Sequence, residues 1–181
     1  MGSLAAIFIL LLSIAHFSPP SHFFVSGDST LIRKTCKNTT YYNLCMSSLK
    51  SNSSSFKADT KGLAVIMIGI AMTHANQTTR YLSSQLVSNT NDAVIQKVVK
   101  DCADKYSLAI ESLQESLQQL DLMSSDYASV QVTAAKDYPN VCHNEYRRFP
   151  GLAYPAELAH REVQLEHMCD VALGIIDVLG W

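Results

Sequence analysis

The sequence predicts an all-α fold: a small N-terminal helical hairpin followed by a four-helix bundle, stapled by disulfides. Three observations carry this. Apolar residues recur at steps of three and four over four long stretches, the spacing of one helix face. No segment alternates polar and apolar with the period of two that a half-buried strand needs. The chain also holds five cysteines, several of them inside those apolar stripes.

The clearest stretch runs from Val94 to Leu120. Ile95, Val99, Cys102, Tyr106, Ala109, Leu113, Leu117 and Leu120 draw one stripe along a helix of about seven turns. Lys97, Lys100, Asp101, Asp104, Lys105, Glu111, Gln114, Glu115 and Gln118 occupy the opposite side, so one face needs a partner and the other stays in water. Asn91 or Asp92 is suited to cap its start, because a side-chain oxygen there satisfies free backbone N–H groups.

A second long helix is expected from about Asp59 to Val87, with Leu63, Ile66, Met67, Ile70, His74, Thr78, Tyr81 and Leu82 on one face. Gly62 and Gly69 each lower its propensity by up to ~1 kcal/mol, which packing must offset. A third is expected from Asp126 to Arg148, with Tyr127, Val130, Ala134, Val141 and Cys142 inward. Pro139 lacks an amide hydrogen and crowds the preceding turn, so a kink or break is expected near Tyr138. The last helix covers roughly Ala156 to Leu179. Its stripe of Leu158, Glu162, Leu165, Cys169, Ala172, Ile176 and Leu179 has one member out of character, Glu162. Ahead of the bundle, Ser29 to Lys50 reads as a hairpin of short helices, with Thr39 or Thr40 capping the second. Ser51 to Ser55 reads as a flexible polar break.

Residues 1–27 read as a removable secretory signal: an apolar run too short and interrupted for a membrane span, ending near the small residues Val25 and Gly27. The mature chain, residues 28–181, is then one domain, with the hairpin over 28–55 and the bundle over 56–181. The formal charge of −2 at pH 7 gives no electrostatic case for nucleic acid or an anionic membrane. Three sequons, at Asn38, Asn52 and Asn76, are glycosylation candidates in a secreted chain.

Five cysteines allow at most two internal bridges and leave one thiol over. Several arrangements stay open from sequence. Locality favours Cys36 with Cys45, and helical geometry allows Cys102 with Cys142, which leaves Cys169 as a buried free thiol. A bridge closing about forty residues would stabilise by about 4 kcal/mol on the loop-entropy model.

Catalytic constellations were sought and none is present: no Gly-rich phosphate loop, no GxSxG elbow, no HExxH pair. His160 and His167 lie two turns apart without a third ligand and read as solvated surface histidines. His74 reads as a core-edge histidine with a hydrogen-bonded partner. Glu162 and Glu166 are one turn apart, a spacing usual for solvated carboxylates. No metal or cofactor is called for. A bundle can carry a small apolar ligand between its helices, but these seams are filled with Leu, Ile and Val. The remaining reading is a non-enzyme that presents a rigid surface to another macromolecule.

The hairpin IRKTCKNTTYYNLC, the segment VVKDCADKYSLAIESL, Cys142 and the final CDVALGIIDVL together resemble the plant family of pectin methylesterase and invertase inhibitors, over essentially the whole mature chain. The resemblance implies an up-down-up-down bundle, bridges Cys36–Cys45 and Cys102–Cys142, an extracellular or cell-wall setting with the vacuole possible, and a one-to-one complex with a carbohydrate-active enzyme. Invertase inhibitors of the family carry a Pro-Lys-Phe element between the second and third bundle helices; here the matching turn reads Ser125-Asp126-Tyr127. Pectin methylesterase inhibitors commonly carry Gly-Asp-Tyr there and a fifth cysteine in the last helix, which Asp126, Tyr127 and Cys169 resemble. The expected partner is therefore a pectin methylesterase, its active-site cleft covered by the second and third bundle helices. Glu111 and Asp126 would be polar contacts and Tyr127 an aromatic anchor. Val141 stands where these inhibitors often have threonine. The alternative partner is a cell-wall or vacuolar acid invertase.

Overall fold

A computed structural model describes residues 29–87 and 90–180. The expected signal segment, residues 1–27, lies outside the described residues. Six α-helices and no strand are present among those described. The hairpin is α1 (Ser29–Cys36) and α2 (Tyr42–Ser51); the bundle is α3 (Thr60–Tyr81), α4 (Ala93–Asp121), α5 (Ser125–Arg147) and α6 (Ala156–Ile176). No helix among the described residues is long and apolar enough to cross a membrane.

Each long helix starts where the local chemistry allows. Asp59 caps α3 by accepting from the Gly62 amide at 2.7 Å. Asp92 caps α4 by accepting from Val94 and Ile95 at 2.8 and 3.2 Å. Such caps satisfy amides that have no partner within the helix. The hairpin is capped differently from the expectation. Tyr41 precedes α2 without a side-chain cap bond, and the Thr39 hydroxyl instead donates to the Cys36 carbonyl at 2.8 Å. Nor is the Ser-rich stretch after α2 unstructured: Asn52 caps a 3₁₀ turn over Ser53–Lys57, accepting from the Ser54 amide at 3.0 Å. At the other end of α3 the chain widens into a π-helical turn, Leu82–Leu86.

The bundle is a ring: α3 packs on α4 and α6, and α5 packs on α4 and α6, leaving α3 and α5 on the diagonal. The hairpin lies across α3 and α6. Ile32 and Leu49 enter the common core, and Tyr41 stacks on His167 of α6 with ring centroids 3.8 Å apart. His167 is thus half covered, not a solvated histidine. Gly174 lets the hairpin turn approach α6, since a Cβ there would meet the Asn38 carbonyl and the Thr39 backbone at 3.0 Å.

Cys36 joins Cys45 within the hairpin, and Cys102 joins Cys142 between α4 and α5. The second bridge holds the two Cα atoms 4.7 Å apart, within the ordinary disulfide range and compatible with helix axes packed side by side. Small residues are buried on both helices: Ala109, Ser112 and Ser116 on α4, and Ala128 and Ala135 on α5.

This proximity corrects the predicted face of the third bundle helix. Ala128, Val132, Ala135, Pro139, Cys142 and Tyr146 point inward, whereas Tyr127, Val130 and Val141 are exposed. Both sets step by threes and fours, so periodicity alone could not choose between them; Cys142 must face Cys102, and the five others follow it round the helix. The helix also runs through Pro139 without the expected break.

Glu162 is the second correction. Its side chain is only 13% exposed, accepting from the Tyr154 hydroxyl at 2.9 Å with His143 Nδ1 at 3.3 Å. Tyr154 in turn stacks on His143 and meets the edge of Tyr146. The out-of-character residue of the stripe therefore anchors the loop between α5 and α6. Burial pushes the free Cys169 thiol up to about 12, with the neighbouring Asp170 adding to it. A thiol so placed is a core side chain and a poor nucleophile.

Replacing Cys102 and Cys142 together by serine is expected to lower stability by about 2–4 kcal/mol, read as a reduced urea midpoint. In the intact chain a water-soluble disulfide reagent should label no thiol until denaturant is added, then one, at Cys169.

Candidate functional site

The turn from α4 to α5 has only Leu122, Met123 and Ser124 to reverse the chain. The Ser124 amide donates back to the Gln119 carbonyl at 2.9 Å and the Met123 amide to Leu120 at 3.1 Å, the two bonds of a Schellman cap. That cap needs a left-handed residue, and Met123 takes it with φ of 59°. Glycine is the usual occupant; a residue with a Cβ pays roughly 1–2 kcal/mol there. The cost keeps a large apolar side chain at the tip, 88% exposed, with Leu122 also exposed beside it.

The apolar surface continues down α5 through Tyr127 and Val130, 69% and 62% exposed, to Val141. Lys136 and His143, whose side chains reach Asp170 and Glu162 on α6, mark the α6 edge of α5. Tyr127, Val130, Ala134 and Val141 lie about half a turn away round the helix, on the edge beside α4. A helix normally buries such a stripe. Here nothing within the described chain covers it.

Of the residues singled out from sequence, Asp126 and Tyr127 sit together in the first turn of α5, both exposed. Asp126 there also suits the positive end of the helix dipole. Glu111 is exposed on α4. With Cys102 opposite Cys142, the antiparallel register puts Glu111 level with Thr133 and Ala134, alongside the stripe. Leu122, Met123 and Val130 were not singled out from sequence as contacts. The two helices thus offer an apolar ridge flanked by carboxylates, held on a disulfide-linked pair. None of these side chains is arranged to move a proton or attack a bond.

His74 lies on the opposite side, in α3. Its Nε2 faces the Arg161 carbonyl at 2.9 Å; a carbonyl only accepts, so Nε2 carries the proton. Burial holds this ring below the ordinary histidine value, against the opposing pull of that hydrogen bond.

The described residues form a disulfide-linked four-helix bundle crossed by a helical hairpin, with an uncovered apolar ridge on α5. The chain belongs to the plant invertase/pectin methylesterase inhibitor family, whose model matches residues 30–175; its members are inhibitors, not enzymes. It is 47% identical over 173 residues to "Cell wall / vacuolar inhibitor of fructosidase 2" of Arabidopsis thaliana, covering 96% of each chain. It is 36% identical to "Pectinesterase inhibitor 28" of Oryza sativa subsp. japonica, over 83% of this chain and 70% of that one. It is 32% identical to "Pectinesterase inhibitor" of Actinidia deliciosa, over 94% and 91%. A crystal structure of a pectin methylesterase inhibitor from Arabidopsis thaliana shares the fold, with a TM-score of 0.61 at 21% identity over 85% of this chain and 99% of that one.

Two outcomes are expected. Because the unfolded chain takes up a proton on His74 near pH 6.5 and the folded chain only at lower pH, the site's contribution is complete above that value and declines as pH falls below it. His74→Gln, which keeps a donor without titrating, should flatten the fall in unfolding free energy between neutral and acidic pH. Met123→Gly should raise stability by about 1 kcal/mol by relieving the left-handed strain, measured by chemical denaturation.

Proposed function

We propose that this chain is a secreted inhibitor of pectin methylesterase, which lays the turn Leu122–Ser124 and the outward edge of α5 over the enzyme's active-site cleft in a one-to-one complex. The observation that carries this is the uncovered ridge of Met123, Tyr127 and Val130 with Asp126 and Glu111 beside it. Pectin is a partly methyl-esterified polyuronate, so a cleft that accepts it meets free carboxylates as well as neutral esters. A ridge with Asp126 at its start, Glu111 on the neighbouring helix and an aromatic anchor matches such a cleft better than a neutral disaccharide site. The rigid scaffold favours this use, since preformed helices lose little entropy on docking. Secretion to the cell wall through a leader over residues 1–27 accords with the two disulfides, which persist in oxidising compartments. The vacuole is the other compartment this route serves.

One observation favours a second reading, inhibition of acid invertase: the relative at 47% identity bears the name of a fructosidase inhibitor. The turn Ser125-Asp126-Tyr127 has no lysine to offer such a site. The two readings separate in a parallel titration of the oxidised mature chain against a plant pectin methylesterase and an acid invertase in the same mildly acidic buffer. The first reading expects stoichiometric loss of esterase activity alone; loss of sucrose hydrolysis alone would replace it with the second. Tyr127→Ala is expected to weaken inhibition by roughly tenfold or more, as truncation of a central aromatic anchor does, with the thermal transition unchanged.

A further inference from the structure

We propose that Asn38, Asn52 and Asn76 carry N-linked glycans that coat the hairpin and α3 side of the bundle and leave the α4–α5 edge bare. The three sequons fall in the first 78 residues, and no Asn-X-Ser/Thr occurs from residue 79 onward. The fold turns that asymmetry into a spatial one. Asn38 closes the hairpin turn and Asn52 follows α2, and the hairpin packs on α3 and α6. Asn76 is exposed on α3, more than a quarter turn from that helix's buried residues Ala71, Ala75 and Thr78. The outer surface of α3 faces away from α5, its diagonal neighbour.

Each asparagine can carry a sugar without disturbing the fold. In the transfer, the amide Nδ2 bonds to the anomeric carbon of an oligosaccharide held on a lipid diphosphate. The bond from that carbon to the diphosphate oxygen breaks, the lipid diphosphate leaves with the electron pair, and the amide gives up one proton. The product amide keeps one N–H and its carbonyl. Asn38 and Asn76 each donate from Nδ2 to one carbonyl only, that of Lys34 at 3.2 Å and Met72 at 3.0 Å, and one N–H suffices. Asn52 accepts the Ser54 amide on Oδ1, which the reaction does not touch. Asn52 also borders an open groove of about 430 Å³ floored by Ile66, Gly69, Ile70 and Met168, where a first sugar has room against apolar surface. The Thr78 hydroxyl is buried and bonded to the His74 carbonyl, so transfer to Asn76 precedes folding of α3.

The assignment of the sites stands on the fold; its functional consequence rests on the docking reading above. The full chain is secreted from plant cells with its own leader, treated with peptide N-glycosidase in heavy-oxygen water, and mapped by mass spectrometry. Heavy aspartate is expected at 38, 52 and 76, and unmodified asparagine at all three would overturn the proposal. The same glycoform, before and after enzymatic removal of its sugars, should inhibit its target within about twofold; loss of more than about tenfold caused by the native glycans would overturn the sidedness. Gln131→Asn completes a sequon with Val132 and Thr133 on the α4 side of α5. A glycan there should cost at least about tenfold in inhibition, recovered on removing the sugar. Full inhibition by that glycoform, with the native sites mapped as occupied, would overturn the docking surface and leave the three sites standing.

Discussion

The bridge between Cys102 and Cys142 sets the geometry on which the rest of the bundle depends. The bridge pins α4 to α5 at one level, with Cα atoms 4.7 Å apart, and the two helices pack on each other around it. Buried Ala109, Ser112 and Ser116 on α4 and Ala128 and Ala135 on α5 keep many of the inward side chains of this pair small. With that seam in place α5 has no freedom to rotate. Its second apolar stripe, Tyr127, Val130 and Val141, is thereby turned outward. The same constraint that closes the core exposes the ridge.

The other half of the bundle is fastened by different chemistry. Glu162 receives the Tyr154 hydroxyl within a cluster of stacked His143 and edge-on Tyr146, and Lys136 pairs with Asp170 between α5 and α6. The hydrogen bond to Asp170 raises the lysine above its ordinary value. On the hairpin side, Tyr41 on His167 and the absent side chain of Gly174 seat the hairpin turn against α6. Exposed pairs such as Lys61 with Asp121 add little, being screened by water. The scaffold is therefore held by packing and two covalent bonds, and on the proposed docking a preformed surface would spend little on ordering. Met123 is the exception that fits the same logic: a strained backbone retained where a protruding apolar side chain is presented.

Fold and target are separable questions in this family. One scaffold carries relatives bearing the names of pectinesterase inhibitors and of a fructosidase inhibitor. The buried alanines, cysteines and leucines that define the bundle do not touch a partner, so they are silent on which enzyme is met. On the proposed docking, selectivity would reside in the exposed residues at the α4–α5 tip and along the outer edge of α5, where a charge can be exchanged without cost to the core.

Much of the architecture was written in local pattern. The apolar stripes on α4 and α6, the Asp92 cap and the absence of any period-two segment each depend on neighbours within one or two turns, and the helices follow from them. His74 was legible as a core-edge histidine for the same reason. What sequence could not decide was rotation: α5 carries two stripes with the same period, and only the approach of α4 through Cys102 selects between them. Glu162 looked misplaced because its partners, Tyr154 and His143, come from a loop and a neighbouring helix. Asp126 and Tyr127 were legible as candidates by resemblance, whereas Val130 became one only once the packing of α5 had turned it to solvent, and Met123 only once the turn had placed it at its tip. Periodicity specifies that a residue is on a helix face; which face is inward is a property of the contact between helices.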